Sequence, residues 1–234
     1  MPQKLHCKVV DLIPHGEHVY SLSLKPDSLA PRFFAGQFLH LALDPYQPGD
    51  FWPESRPFSI ASSPGDRSLL TITYAVKGRF TTRMEAGLRL GGEVWIKMPY
   101  GEFAINTDDD SCLLAGGTGV TAFTAFLDGL TAEYQRSVHV FYGARRPKLL
   151  IYRPMIEAAA KRCANLKTCF LVEEGEIPNG MHGRINVDIV WQSLPAPLSI
   201  AYYLSGPPVM LKTLSEALID RGVSLDQIAI DAWE

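Results

Sequence analysis

The apolar residues of this chain keep two different rhythms, and the change falls near residue 111. Before it, KLHCKVVDLI, HVYSLSLKP, GQFLHLALD, SRPFSIAS, LLTITYAVK and EVWIKM are short runs rich in β-branched and aromatic residues, parted by Gly, Pro and Asp. Runs of that kind predict six strands and a small barrel over residues 1–104. One helical interruption, TTRMEAGLRL, follows Gly78-Arg79-Phe80, with Thr81 or Thr82 placed to cap its first turn. The segment DPYQPGDFWPE, residues 44–54, reads as a loop, either a long strand connection or a lid.

From Ser111 onward strand and helix patterns alternate, which predicts βα units and a parallel sheet over residues 111–234. Strands are expected at 112–115, 137–142, 167–172 and 199–204, and helices near 120–133, 149–162, 186–192 and 207–221. GEFAINTDDD is then a linker, with Asp108 to Asp110 solvating it.

Within the second half, LLAGGTGV (Leu113 to Val120) joins an apolar strand to an apolar helix through three glycines and a hydroxyl. Such a turn leaves backbone N–H groups unpaired at a helix start, where the helix dipole favours an anion. It lacks the spacing of a GxGxxG fingerprint and the lysine of a Walker loop. It therefore reads either as punctuation or as a cradle for phosphate. In the first half, Arg56-Pro57-Phe58-Ser59 sets a guanidinium, an aromatic ring and a hydroxyl on one strand, with Arg56 and Phe58 on one face and Ser59 on the other. That pattern suits a phosphate ligand beside a stacking surface; it equally suits an edge strand with one exposed arginine.

A net charge of −3 without a basic run argues against nucleic acid or an anionic membrane as partner. The four cysteines, Cys7, Cys112, Cys163 and Cys169, show no CxxC or Cys/His spacing, and the six histidines are scattered, so no metal site or disulfide framework is expected. No run of about 18 apolar residues occurs, and the first residues lack a secretory pattern, so no membrane insertion and a cytoplasmic location are expected.

RPFSIAS resembles the arginine-x-aromatic-serine flavin motif of the ferredoxin–NADP reductase superfamily, and AGGTG, FYGARRPKLLIY and YYLSGPPVML resemble that family's three nicotinamide-domain motifs, in the same order. The resemblance spans nearly the whole chain and is nearest to stand-alone NAD(P)H:flavin oxidoreductases. It implies a two-domain α+β protein: a six-stranded antiparallel Greek-key β-barrel for flavin, then an α/β parallel-sheet domain for the nicotinamide nucleotide. It also implies that Arg56 holds a flavin phosphate, with Pro57 and Phe58 against the flavin and Ser59 near its N5 atom. Tyr74, Ala75 and Val76 would line the flavin through backbone atoms, and Gly78, Thr81 and Thr82 would meet the pyrophosphate of FAD.

In the second domain the resemblance assigns Gly116, Gly117 and Gly119 to the turn and Thr118 to a place beside the nicotinamide. It also implies that Arg145 reaches toward the nucleotide and that Ser205, Gly206 and Pro207 lie under the nicotinamide, with the Ser205 hydroxyl either positioning the ring or only capping the helix at 207. Trp233 is expected either to stack at the flavin face or to anchor the C-terminus to the sheet. The chain departs from the family pattern at Ala122, where proline is usual, at Leu149, where an aspartate anchors the Arg145 loop, and at Ser205, often a cysteine. Glu173 and Glu174 stand where NADPH enzymes tend to carry Ser and Arg; a carboxylate there accepts bonds from ribose hydroxyls and repels a 2′-phosphate, so NADH is expected over NADPH. Arg145 and Arg146 are the counter-argument.

The resemblance implies hydride transfer from NAD(P)H to FAD, FMN or a loosely held flavin, with Ser59, Thr118 and Ser205 nearest the chemistry and no acid–base residue required. Three functions fit: a flavin reductase whose acceptor is free flavin, a tightly FAD-bound reductase serving a separate ferredoxin or oxygenase docked at residues 44–54, and a non-catalytic flavin-binding subunit.

Overall fold

Turns at glycine, proline and aspartate cut the first part of the chain into β1 (Gln3–Gly16), β2 (Val19–Pro26), β3 (Phe38–Ala42), β4 (Ser55–Ser59), β5 (Leu70–Ala75) and β6 (Glu93–Tyr100). They pair antiparallel in the order β4-β3-β6-β1-β2-β5, so that β6 returns to lie between β1 and β3 as in a Greek key. The two end strands meet just beyond β4: Ala61 N–H donates to the Thr71 carbonyl at 2.8 Å and Thr71 N–H to Ser62 Oγ at 3.1 Å. A nearly closed barrel results. Alternate residues point inward, and Leu22, Leu24, Leu39, Leu41, Leu70, Ile72, Val94, Ile96 and Met98 fill it completely buried.

The helix of this unit, α1 (Arg79–Gly87), buries Phe80 and Met84. Its outer side is tied to β2, because Glu85 accepts from the Tyr20 hydroxyl at 2.7 Å and bonds the His18 ring at 2.7 Å. The cap differs from the sequence expectation. Gly78 is the N-cap and Thr81 the third helical residue, whose hydroxyl accepts from the N–H groups of Lys77 and Gly78 at 2.9 and 3.1 Å. Glycine starts the helix there, and a threonine reaching back satisfies the entering backbone.

This computed structural model describes residues 1–231 and divides into two compact units, Met1–Ala104 and Ile105–Glu234. In the second, β7 (Ser111–Gly116), α2 (Thr121–Asp128), β8 (Val138–Ala144), α3 (Arg153–Arg162), β9 (Leu166–Val172), β10 (Met181–His182), α4 (Val187–Ser193), β11 (Ala201–Ser205), α5 (Pro208–Asp220) and β12 (Ile228–Asp231) alternate. The sheet is parallel throughout, in the order β10-β9-β8-β7-β11-β12. Every residue of β7 is buried, as both faces of a parallel sheet require. Cys112, Leu114, Tyr202 and Leu204 join the α4 and α5 side of the core, through Val190, Leu211, Leu214 and Leu218.

The helix expected to reach residue 133 stops at Asp128, where Gly129 enters, and the helix expected from 149 starts at Arg153, after a short 3₁₀ turn over Pro147–Leu149. β10 spans two residues, too short for any periodicity to reveal. No helix among the described residues is long and apolar enough to cross a membrane.

The turn after β7 meets the turn after β11 backbone to backbone. A Cβ on Gly119 would stand 2.4 Å from the Ser205 carbonyl oxygen and 2.6 Å from the Gly206 nitrogen; one on Gly206 would lie 3.0 Å from the Gly116 nitrogen; one on Gly116 would lie 2.6 Å from the Met210 sulfur. These three glycines therefore serve the contact between two turns. Gly117 is different, with φ +55° and open space where a Cβ would go. Gly119→Ala is expected to destabilise the protein by about 2–3 kcal/mol through overpacking, and Gly117→Ala by only about 1 kcal/mol through its left-handed backbone. Urea unfolding of the two variants checks this, and equal losses would refute the packing account.

Candidate functional site

β4 pairs with β3 so that Arg56 lies opposite Leu41 and Phe58 opposite Leu39. Phe58 thus sits on the barrel side of its strand, half-buried, with its ring 6.0 Å from that of Tyr74 in an edge-on arrangement. Tyr74 stacks in turn on Tyr20 at 5.5 Å, and its buried hydroxyl has no hydrogen-bond partner among the described residues. Burial pushes that phenol up. Ala75 and Val76 continue from it, Val76 N–H donating to the His18 carbonyl at 2.9 Å, and Pro57 and Ser59 take the opposite face of β4 beside His40 and Phe38.

Arg56 leaves the strand for solvent and meets a carboxylate that sequence reasoning did not single out. Its guanidinium donates to the Ser55 carbonyl at 2.8 Å and to Glu54 Oε1 at 3.3 Å, and lies 5.4 Å from the centre of the Phe80 ring. Two arginines from the first turns of α1 join it. Arg79 donates to Glu54 Oε1 at 3.1 Å, and Arg83 to Glu54 Oε2 at 3.3 Å and to Asp44 Oδ1 at 2.7 Å. The Arg79 guanidinium, foremost, and those of Arg56 and Arg83 hold the Glu54 carboxyl below its ordinary range.

The signal for this cluster is present in the sequence as Arg-Phe-Thr-Thr-Arg straight after Gly78, an i, i+4 pair of arginines at a helix start. Three guanidiniums at the end of a strand and the start of a helix are a donor set fitted to phosphate. Thr81 spends its hydroxyl on the backbone of the turn, whereas Thr82 is exposed.

In the second unit, Gly117 and Thr118 form the open part of the turn after β7, both half-buried. Ser205 is not open: it is 3% exposed, and its hydroxyl donates to Asp231 Oδ2 at 2.9 Å across the β11–β12 pair. It does not cap α5, whose N-cap is Pro207. Asp231 was invisible to motif reading because only the pairing of Ser205 with Asp231 in register reveals it. Gly206, at φ +154°, turns the chain between them and the helix.

The Arg145 loop lacks an aspartate at position 149, and other groups anchor it. The Tyr142 hydroxyl donates to the Leu149 carbonyl at 3.1 Å, and Glu174 N–H to the Arg145 carbonyl at 2.8 Å. The side chain of Glu174 accepts from Arg145 Nε at 2.7 Å and Arg146 Nε at 2.8 Å, and these bonds hold its carboxyl low. Glu173 faces elsewhere and accepts from Arg184 Nε at 2.7 Å. Trp233 lies outside the described residues.

Known proteins share sequence and fold with this chain. The Oxidoreductase NAD-binding domain family matches residues 113–216. The chain is 30% identical over 193 residues to the NAD(P)H-flavin reductase of Vibrio harveyi, covering 77% of this chain and 76% of that protein. It is 29% identical over 244 residues to the reductase component of propane 2-monooxygenase from Rhodococcus jostii (strain RHA1), covering 99% of this chain and spanning 64% of that protein's length. A ferredoxin NADP+ reductase from Neisseria gonorrhoeae, solved with bound FAD and NADP, shares the fold at a TM-score of 0.80 and 18% identity, over 97% of this chain and 98% of that one. The chain belongs to the ferredoxin–NADP reductase superfamily, a family of flavin-dependent NAD(P)H oxidoreductases.

Proposed function

We propose that this protein is an NADH-preferring flavin reductase, with free flavin as its acceptor, that binds flavin phosphate at Arg56 and the start of α1 and the nicotinamide nucleotide at the turn after β7. The observation that carries the reading is the convergence of Arg56, Arg79 and Arg83, because three guanidiniums in one place answer to an anion of several oxygens. When bound, flavin supplies the ring that accepts a hydride from the reduced nicotinamide, and the protein's share is binding and orientation. Phe58, half-buried and edge-on to Tyr74, gives the barrel end an aromatic surface, and the open space at Gly117 lets a nucleotide approach without a side chain in the way. Ser205 acts by holding the turn at Gly206 through its bond to Asp231.

A second reading has a specific observation behind it. Because the similarity to the propane 2-monooxygenase reductase component extends over 99% of this chain, the protein could pass electrons to a separate oxygenase or ferredoxin. Gel filtration separates the two: flavin that stays with the protein, and activity only with an added protein acceptor, would favour the second. The described cysteines form no disulfide and three of the four are buried, which fits a reducing compartment, and we place the protein in the cytoplasm.

Mixing the protein anaerobically with flavin and NADH tests the proposal directly, and flavin absorbance that stays unchanged at saturating NADH and NADPH would sink it. Arg56→Ala is expected to weaken FAD binding by about 1–3 kcal/mol through loss of a charge-assisted contact, read by fluorescence titration. The preference between nucleotides should rest more on Glu174 than on Glu173, since Glu174 engages both Arg145 and Arg146. Glu174→Gln is expected to raise the NADPH-to-NADH ratio of kcat/KM about fivefold, and Glu173→Ser to raise it less.

A further inference from the structure

Glu54 stands in an unusual relation to its three arginines. Its two oxygens serve three guanidiniums, at 3.3, 3.1 and 3.3 Å, all beyond the 2.7–2.9 Å typical of charge-assisted bonds. Arg83 itself reaches Asp44 at 2.7 Å, and the separate pair Arg145–Glu174 also closes to 2.7 Å. One carboxylate is thus shared among three donors, each held at a longer distance than in a dedicated pair. Arg56 and Arg79 remain 50% and 81% exposed, so an anion arriving from solvent can reach them. Glu54 itself precedes β4 and makes no contact that the ladder of that strand needs.

The charge count points the same way. Three guanidiniums against the carboxylates of Glu54 and Asp44 leave one positive charge, and with Glu54 withdrawn they leave two. A phosphate offers more oxygens than a carboxylate to the same donors and carries at least as much charge.

We propose that Glu54 is an internal anion that occupies the Arg56–Arg79–Arg83 cluster and competes with the phosphate of flavin nucleotides, so that the protein holds phosphorylated flavins loosely. The inference rests on the flavin-binding reading above and adds to it a residue that sets affinity. It also gives the segment from Asp44 to Glu54 a role, since Arg83 holds both of its ends and exchange of Glu54 for phosphate releases one of them.

Titration of the full chain and its Glu54→Gln variant with riboflavin, FMN and FAD, followed by flavin fluorescence, tests the proposal. Glu54→Gln is expected to tighten FMN and FAD binding about three- to tenfold and leave riboflavin, which has no phosphate, unchanged. Adding Arg79→Ala should shrink that gain, because the two residues act on one site. FMN and FAD binding that is unchanged or weaker in Glu54→Gln, or a gain shared equally by riboflavin, would overturn the inference alone. A parent protein that binds none of the three flavins would overturn the flavin-binding reading and this inference together.

Discussion

The second unit depends on a contact that admits no side chain. Gly119 lies against the carbonyl of Ser205, and Gly206 against the nitrogen of Gly116, so two strand-to-helix turns touch through their backbones. β7 and β11 are neighbours in register at the middle of the parallel sheet, and their helices leave from the same edge. Turns crowded that closely must be glycine, and the crowding sets where α2 and α5 begin. A glycine-rich turn is therefore first a packing device. Only Gly117, with its positive φ and open surroundings, keeps the freedom usually credited to the whole motif.

Charge is handled alike in both units. Each sets two or three arginines around one glutamate that offsets part of their charge: Glu54 for Arg56, Arg79 and Arg83, and Glu174 for Arg145 and Arg146. Paired in this way the guanidiniums keep defined positions without an anion bound, and the partner carboxylate weighs against any anion that comes. On the proposed function, affinity for flavin phosphate and the choice of nicotinamide would depend on acidic residues as much as on basic ones.

The fold was largely legible in the sequence. Strand periodicity and turn residues placed the six barrel strands, and the switch to alternation at Ser111 placed the parallel sheet, because both patterns record which faces are buried. What failed was local. Thr81 supports the cap from within α1, a choice between neighbouring hydroxyls that depends on where Gly78 turns. α2 ends at Asp128, where the Gly129 N–H turns to the carbonyls of Phe126 and Leu127, although apolar residues continue beyond it. β10 carries two residues and no period.

Site residues divide along the same line. RPFS and GGTG are contiguous, and a contiguous motif can be read before folding. Glu54 opposite Arg79, Tyr142 under Leu149, and Ser205 against Asp231 join residues 25, 7 and 26 positions apart. Sequence by itself determined the class of each unit and the family, since these follow from burial patterns and short motifs. Tertiary structure alone decided which arginine meets which carboxylate, which glycines are spent on packing and which hydroxyls are already committed. Those are contacts between distant segments, and their energies depend on distance and register, which no local pattern encodes.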